Sequence, residues 1–260
     1  MLGNDRALRL VWKAAAFGAA LGLAACQTAP ISGRNQLILF SAEREVALGA
    51  DAYRQIIDEK DISSDPELTR RMNEVGRRIA EASDQSELSW EFTLFEDDTA
   101  NAFALPGGKV GVNTGLFDVA MNDAQLATVL AHEIGHVIAR HSSERMSRRL
   151  LVQGGLAAIG LGLGDGSQAY VQLASQAATL GVVLPFTREQ EGEADRIGLI
   201  YMARAGYDPR QAIDLWRNFE SADFERPPEF LSTHPAPGTR IQLLQQYMPE
   251  ALAIYEQNRR

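Results

Sequence analysis

Apolar residues recur every three or four positions through most of the chain, and this spacing predicts a succession of helices. Each periodic stretch follows a residue whose side chain can cap a helix N-terminus. These capping residues are Ser41, Asp65, Asn122, Thr187 and Asp208. The helix after Thr187 is the most clearly bounded, because Gln190 completes a capping box at its start and Gly206 marks its end.

The period changes to two between Leu88 and Leu94, where apolar and more polar residues alternate, and this predicts a half-buried strand. Residues 101–117, NAFALPGGKVGVNTGLF, contain two extended pieces joined by Pro-Gly-Gly and predict a β-hairpin. Such a hairpin could present a strand edge along a cleft, to which a peptide substrate adds as another strand. The alternative is a hairpin that only completes a small sheet.

One predicted helix carries the pattern HExxH, within the stretch LATVLAHEIGHVIARH at residues 126–141. On a helix, His132 and His136 project together from the edge of the apolar stripe and face one point in space. Two neutral imidazoles so placed can bind zinc at about 2.0 to 2.1 Å, and a catalytic zinc also needs a third protein ligand and an open position for water. Glu133 fits the base that activates this water, because its carboxylate would be costly to bury without a partner.

The alternative is a helix with two incidental histidines, since HExxH also occurs by chance in unrelated chains. The apolar surroundings of the motif and the cap before it favour one zinc ion per chain. His141 lies about 140° or more around the helix from His136. This angle excludes His141 as a ligand of the same ion and predicts a surface histidine.

The third ligand is sought in the helix that follows Thr187, whose first turns contain a dense group of acidic residues. These residues are Glu189, Glu191, Glu193 and Asp195. One carboxylate could bind the metal while another, one turn away, orients a ligand histidine through its second nitrogen. Acidic residues in a first turn also favour the helix dipole without any further role. Spacing alone does not choose between Glu191 and its neighbours.

Three basic residues precede a short apolar run at residues 14–25, which is far below the roughly 20 residues that span a bilayer. This pattern predicts a secretory signal peptide over residues 1–25. The run ends in LAAC and resembles a bacterial lipobox, in which Cys26, the only cysteine of the chain, is lipidated. The alternative is an ordinary signal with a stray cysteine.

Gln27 follows this cysteine, and the absence of an aspartate there resembles sorting to the outer rather than the inner membrane. Residues 26–40 are interpreted as the lipidated cysteine and a short tether, which becomes an extended apolar segment from Leu37 to Phe40. Residues 41–260 would then form the catalytic domain.

Charge excludes one class of partner. The formal net charge is −9, and residues 1–25 contribute three positive charges and one negative, so the remainder carries −11. Such an acidic chain is not expected to bind nucleic acid.

Residues 150–184 are rich in glycine and low in charge, and their uncharged runs are too short or too polar to span a membrane. We interpret this segment as a mobile or amphipathic lid, with a membrane-surface contact as the alternative.

Five stretches of the chain resemble the HtpX and BepA family of zinc metallopeptidases, which is related to the CAAX prenyl proteases. They cover most of residues 31–245 and read SGRNQLILFSAEREVALG, NAFALPGGKVGVNTGL, LATVLAHEIGHVIARH, TREQEGEADRIGL and STHPAPGTRI. The resemblance implies an α+β gluzincin fold, mostly helical, with a small sheet or hairpin next to the active-site helix. The spans of the integral-membrane members and the tetratricopeptide domain of BepA are not found in this sequence, so substrate delivery by that domain is not transferred.

The resemblance also implies roles for individual residues. His132 and His136 would bind zinc and Glu133 would be the base. The ExxAD pattern of the family would supply Glu191 as the third ligand and Asp195 as the supporting carboxylate.

The stretch STHPAPGTRI adds a further hypothesis, that His234 folds back over the zinc together with Arg240. Two prolines would stiffen this loop. A neutral His234 could occupy the open position of zinc and hold the enzyme latent, or a protonated one could stabilise the oxyanion that develops during cleavage. Arg240, which is always charged, is the better candidate for the oxyanion.

Taken together, the patterns and the resemblance predict a zinc endopeptidase that is lipid-anchored in the bacterial periplasm, on the inner leaflet of the outer membrane. Its expected substrates are unfolded or misassembled envelope proteins. The alternatives are a zinc-containing chaperone or adaptor with latent protease activity, and an assembly lipoprotein with no turnover.

Overall fold

The computed structural model describes residues 26–161, 186–223, 228–234 and 240–259 of the chain. The helices in these ranges are α1 (Ala42–Glu59), α2 (Pro66–Ala82), α3 (Asp123–Ile138), α4 (His141–Leu161), α5 (Arg188–Arg204), α6 (Gln211–Ser221), α7 (Glu229–Thr233) and α8 (Arg240–Asn258). The strands are β1 (Cys26–Thr28), β2 (Asn35–Leu37), β3 (Glu91–Phe95), β4 (Ala102–Leu105) and β5 (Lys109–Asn113). The α+β, mostly helical fold class predicted from the sequence is confirmed.

Three sequence predictions fall outside the described residues. They are the signal peptide at 1–25, most of the proposed lid at 150–184, and the two prolines in the loop at 235–239.

The predicted capping residues begin their helices through local hydrogen bonds. Ser41, Asp65 and Asn122 each accept a backbone N–H from the first turn of the helix that follows. Thr187 and Gln190 form the complete capping box, with both reciprocal bonds present. Asp208 accepts the backbone N–H of Arg210, just before α6 begins. These starts are set by residues within a few positions of each other, which is why the sequence alone predicts them.

The three-stranded sheet has the order β3–β5–β4, with β3 parallel and β4 antiparallel to the central strand. The predicted hairpin is therefore confirmed as β4 and β5. Its turn depends on Gly107 and Gly108, whose φ values of 86° and 85° disfavour residues that carry a side chain. Gly49 of α1 lies under this turn, because a Cβ there would come within 2.0 Å of the Pro106 carbonyl oxygen. Strand β4 is left at the edge of the sheet.

Helix α3 runs through the core and packs against α5 at unusually short range. A Cβ at Gly198 of α5 would lie 3.1 Å from the backbone nitrogen of His132. A Cβ at Gly135 of α3 would lie 3.0 Å from the carbonyl oxygen of Ala194. The two glycines thus let the helix backbones touch, and this contact brings the HExxH motif beside the acidic group of α5.

The segment before α1 differs from the short tether that the sequence predicts. Strands β1 and β2 pair antiparallel from Cys26 and Leu37 at one end to Thr28 and Asn35 at the other. Ile38 and Phe40 are buried, and Phe40 packs in a cluster with residues of α1 and α4. Burial of these side chains makes the segment a part of the domain. None of the helices in the described ranges has the length and hydropathy that are needed to cross a bilayer.

Candidate metal centre

Four buried side chains converge at the contact between α3 and α5. They are His132 and His136 from α3, Glu191 from α5 and His234, which follows α7. One potential ligand atom from each lies within 4.8 Å of the other three. All four residues are 3% exposed or less. The structure therefore brings together the three predicted zinc ligands and the histidine that was expected to fold over them.

The separations between these atoms fit a tetrahedral metal site. The Nε2 atoms of His132 and His136 are 3.0 Å apart, and His132 Nε2 is 3.2 Å from His234 Nδ1. The Glu191 carboxylate oxygens lie 3.4 Å from His136 Nε2 and 3.1 Å from His234 Nδ1. Tetrahedral zinc with ligand bonds of about 2.0 to 2.1 Å requires its ligand atoms to be about 3.3 Å apart. Three imidazole nitrogens and one carboxylate oxygen also form a donor set that suits zinc.

The charges at the site favour a cation. Burial would raise the pKa of Glu191, but hydrogen bonds with His132, His136 and His234 outweigh it and hold the pKa well below its ordinary value. Burial lowers the pKa of His136 well below its ordinary value, so this imidazole is neutral, as a metal ligand must be. Burial and Arg240 would lower the pKa of His132, yet Asp195 and Glu191 raise it to about 9. A positive charge is thus stabilised next to His132, where a bound metal would take the place of the proton.

Glu133 lies beside the cluster but is not one of its ligands. The residue is 1% exposed, and its Oε1 accepts no hydrogen bond within the described residues, although His234 Nε2 is 3.3 Å away. Burial raises the pKa of this carboxyl, and the negative charge of Glu191 contributes in the same direction. A buried carboxyl oxygen without a partner has a high free energy. This position suits a group that exchanges a proton with a water molecule or a substrate.

Asp195 and Arg240 hold the ligands from the other side. Asp195 Oδ1 lies 2.9 Å from His132 Nδ1, so this nitrogen donates to the carboxylate and leaves Nε2 free for a metal. Arg240 donates to Asp195 at 2.6 Å and to Glu191 at 2.9 Å, and its guanidinium lies 3.9 Å from the centre of the Trp216 ring. The predicted supporting carboxylate is therefore in place. Arg240 is bound to two carboxylates in this conformation, an arrangement that favours positioning of the ligands over contact with an oxyanion.

His234 is fixed by its own neighbours. Its backbone nitrogen donates to the Phe230 carbonyl oxygen at 2.8 Å, and its ring stacks on the Phe230 ring with centroids 4.6 Å apart. The Nδ1 atom faces the ligand cluster and Nε2 faces Glu133. Of the two roles that the sequence leaves open for His234, this orientation favours the one in which Nδ1 occupies the fourth ligand position.

The prediction that His141 is a surface histidine is wrong. The residue is fully buried, with Nδ1 2.8 Å from His136 Nδ1 and Nε2 3.0 Å from Glu193 Oε2. The helical wheel fails here because α3 ends at Ile138 and Arg140 has a φ of 55°, so the chain turns before His141. Glu193, which the sequence offered as a possible third ligand, contacts this histidine instead, and Glu189 is exposed.

A cleft of about 90 Å³ lies beside Glu133 and His234. Strand β4 forms one wall of it, and Phe186 and Arg145 contribute to another. Because β4 is an edge strand and lines the same cleft as Glu133, its outer edge is available for pairing next to the candidate base. The expectation that the hairpin presents a strand edge along the cleft agrees with this placement.

Comparison with known proteins identifies peptidases, in agreement with the candidate metal centre. The model of peptidase family M48 matches residues 66–248. Mitochondrial metalloendopeptidase OMA1 of Schizosaccharomyces pombe is 37% identical over 229 residues, which cover 85% of this chain and 66% of that protein. The same enzyme of Saccharomyces cerevisiae is 33% identical over 252 residues, which cover 88% and 71%. The beta-barrel assembly-enhancing protease of Escherichia coli K12 is 34% identical over 223 residues, which cover 82% of this chain but 46% of that protein.

Proposed function

Because the chain belongs to peptidase family M48 and is a metallopeptidase, we propose that it is a zinc-dependent endopeptidase of envelope protein quality control. The observation that carries this proposal is the convergence of four buried ligand atoms next to Glu133, whose carboxyl oxygen has no hydrogen-bond partner among the described residues. A pure binding module would have no need of a buried carboxylate at this position.

In peptide-bond hydrolysis, the metal would act as a Lewis acid and the side chain of Glu133 would transfer protons. A zinc ion held by His132, His136 and Glu191 would supply a Lewis acid that polarises the scissile carbonyl group and lowers the pKa of water. Glu133 takes a proton from the attacking water and later passes it to the leaving amine. Its raised pKa suits both steps, because a base with a pKa nearer neutrality also returns the proton readily.

The substrate is proposed to be an unfolded polypeptide that adds to β4 as a further strand. Only an extended segment without structure of its own can pair with a sheet edge inside a narrow cleft. The relatives include a protease named for β-barrel assembly and a mitochondrial metalloendopeptidase, and the chain spans less than half the length of the former. Misassembled envelope proteins are therefore a proposal for this chain, supported by the first of these names.

The cellular location of the protein is proposed from its N-terminal sequence. The relatives' names point to both bacteria and mitochondria, so they do not decide the compartment. The basic and apolar residues of 1–25, followed by LAAC, support secretion to the periplasm and a lipid anchor at Cys26. Gln27 after the cysteine supports the outer membrane.

A second candidate is supported by one contact. His234 Nδ1 lies 3.2 Å from His132 Nε2 and 3.1 Å from Glu191 Oε1. It would therefore occupy the fourth coordination position of the metal, which a catalytic water molecule would need. In this conformation the domain would hold zinc without turnover and act as a chaperone or adaptor with latent protease activity.

The test measures zinc content and cleavage of an unfolded protein for the wild type, Glu133→Gln and His234→Ala. We expect about one zinc per chain in all three, because none of the three main ligands is changed, and no cleavage by Glu133→Gln. Cleavage by the wild type supports an active endopeptidase, whereas cleavage only by His234→Ala supports the latent form. A protein without bound zinc, or equal cleavage by Glu133→Gln, would refute the proposal.

Ligand identity is tested separately. Glu191→Ala should lose zinc, since it removes a buried carboxylate that lies within 3.5 Å of both His132 Nε2 and His136 Nε2. Glu189→Ala is the matched control, because Glu189 is two residues away on the same helix and exposed. Full zinc occupancy in Glu191→Ala would show that the ligand is misassigned.

A further inference from the structure

A second group of buried polar residues lies next to the metal centre and contacts it through His136. His136 offers Nε2 to the ligand cluster, and its other ring nitrogen, Nδ1, is 2.8 Å from His141 Nδ1. His141 Nε2 is 3.0 Å from Glu193 Oε2. All three residues are 7% exposed or less. These contacts form a continuous series from the Glu193 carboxylate, through His141, to the imidazole of the candidate ligand His136.

The donor and acceptor atoms in this series of hydrogen bonds can be assigned from its two terminal groups, the Glu193 carboxylate and the His136 imidazole. Glu193 is an anion and can only accept, so His141 Nε2 carries a hydrogen. A neutral His141 then has an acceptor at Nδ1, and His136 Nδ1 must be the donor. His136 is left with a lone pair on Nε2, the atom that faces the ligand cluster. With both imidazoles neutral, as His136 must be to bind a metal, any other placement of the hydrogens leaves two lone pairs or two hydrogens opposed across a buried contact.

The carboxylate end is fixed by the N-terminal segment. Ser32 Oγ donates a hydrogen bond to Glu193 Oε1, and Arg34 Nε donates to Glu193 Oε2 at 2.8 Å. Together with His141 Nε2, these donors place three polar hydrogens around one buried carboxylate, an arrangement that suits an anion that only accepts hydrogen bonds.

Arg34 is itself held rigidly. Its Nη1 and Nη2 donate to the two carboxylate oxygens of Glu144 at 2.9 and 2.8 Å, and Gln190 donates to the same carboxylate at 2.8 Å. A two-point contact of this kind fixes the plane of the guanidinium. Arg34, which lies between β1 and β2, thus ties α4 to α5 through Glu144 and Glu193.

We propose that the relay Arg34–Glu193–His141–His136 fixes the tautomer and orientation of the His136 imidazole, so that the N-terminal segment is a structural part of the metal centre. His141, Glu193 and Arg34 are positioning residues, and none of them is a metal ligand. The inference rests on the proposed function to the extent that His136 binds the metal. It goes beyond that function because it assigns a role to residues 32–34, which lie outside the two motifs.

The first test is zinc affinity, measured by competition with a chelator. His141→Phe keeps an aromatic ring but removes both hydrogen bonds, and we expect it to weaken zinc binding about 10- to 100-fold, as loss of such support does elsewhere. Glu193→Gln keeps an oxygen acceptor for His141 and removes the charge, so its loss should be smaller. Glu189→Gln, an exposed residue on the same helix, is the matched control and should bind zinc as the wild type does.

The second test asks whether the N-terminal segment takes part. Arg34→Met should weaken zinc binding, less than His141→Phe does, because it acts through two intervening residues. Arg44→Met is the control, since Arg44 is an exposed arginine of the next helix. Wild-type affinity in Arg34→Met would remove the N-terminal segment from the relay.

The third test separates positioning from simple stabilisation. In protein labelled with ¹⁵N-histidine, ring nitrogen shifts should show the hydrogen of His136 on Nδ1 and that of His141 on Nε2. A metal-free thermal midpoint that falls in His141→Phe and Glu193→Gln, with zinc affinity unchanged, would mean a structural role only and would overturn the proposal. If the wild type binds no zinc, the proposed function fails instead, so the two failures are distinguishable.

Discussion

At the scale of single residues, two buried carboxyl groups a few ångströms from the same histidines have opposite properties. Glu191 lies against three imidazoles, from His132, His136 and His234, and its pKa is depressed by these contacts. Glu133 Oε1 accepts no hydrogen bond from the described residues, and burial raises the pKa of this carboxyl. Two carboxyl groups whose environments shift their pKa values in opposite directions have different chemical roles. This difference in environment favours the proposed roles, Glu191 as a metal ligand and Glu133 in proton transfer.

His234→Ala provides a prediction about the conformation of the site. Because His234 Nδ1 occupies a ligand position, its removal should open that position and raise the basal rate of cleavage. Steady-state kinetics on an unfolded substrate measure this effect. A fall in kcat of about 100-fold, at unchanged zinc content, would instead assign His234 to stabilisation of the transition state.

Glu144→Gln provides a prediction about pH. Burial would raise the pKa of Glu144, but hydrogen bonds from Arg34 and Gln190 outweigh it and lower the pKa. A depressed pKa means that the charged form contributes stability above the unfolded pKa of about 4.3, and that this contribution is lost as the pH falls through the lower folded value. Denaturant unfolding should show Glu144→Gln to be less stable than the wild type by about 2 kcal/mol at pH 7.

That difference should shrink as the pH is lowered below the folded pKa of Glu144. Glu189→Gln, at an exposed position, should show no such dependence on pH. A destabilisation by Glu144→Gln that is the same at neutral and at acid pH would mean that the carboxylate charge is not responsible.

At the scale of elements, the metal centre depends on how closely α3 and α5 approach. Each helix carries part of the ligand set, so a shift of one helix moves His132 and His136 relative to Glu191. Gly135 and Gly198 permit the approach, since a Cβ at either position would meet backbone atoms at 3.0 to 3.1 Å. Gly192, in the same helix as Gly198, has open space around it. The two helical glycines of α5 therefore have different functions.

The prediction is that Gly198→Ala forces the helices apart. It should destabilise the protein by about 1 to 3 kcal/mol, the usual cost of overpacking, and weaken zinc binding. Gly192→Ala is the matched control and should stabilise the protein by up to about 1 kcal/mol, through the higher helix propensity of alanine. Denaturant unfolding and chelator competition measure the two effects. Equal behaviour of the two variants would show that helix spacing does not control the site.

At the scale of the whole molecule, the N-terminal segment joins the proposed membrane anchor to the catalytic domain. Cys26 pairs with Leu37 in the β1–β2 ladder, so the proposed point of lipid attachment is the first described residue of the fold. Phe40 packs against Met146 and Leu150 of α4, and Leu39 N donates to Ser147 Oγ at 2.9 Å. An anchor at Cys26 would thus hold the domain close to the membrane, with little chain between them.

Cys26→Ala tests the anchor. The variant should no longer be acylated and should no longer fractionate with the outer membrane, because the thiol that carries the lipid is absent. Membrane fractionation and a test for incorporated fatty acid measure these outcomes. Unchanged membrane association would point to the Gly-rich residues 150–184 or to a partner protein as the anchor.

The sequence by itself determined the features that depend on residues close in the chain. Helix starts such as Thr187–Gln190, the Gly107–Gly108 turn and the shared face of His132 and His136 each involve positions no more than four apart. Local hydrogen bonds and the helical period fix such geometry in any protein. The candidate base, two candidate metal ligands and the helices and strands of the α+β fold could be predicted for this reason.

Only the tertiary structure decided where distant residues lie relative to the motif. Spacing left Glu191 and Glu193 equivalent, and the family resemblance alone pointed to Glu191. The contact of α3 with α5 places Glu191 in the ligand cluster and Glu193 against His141. The sequence signal for His141 was misleading, since a helical wheel cannot show that the chain turns at Arg140. The bonds from Arg34 to Glu193 span 159 positions, and no local pattern encodes them. Their geometry arises from the packing of whole helices, whose burial free energy is summed over the entire core.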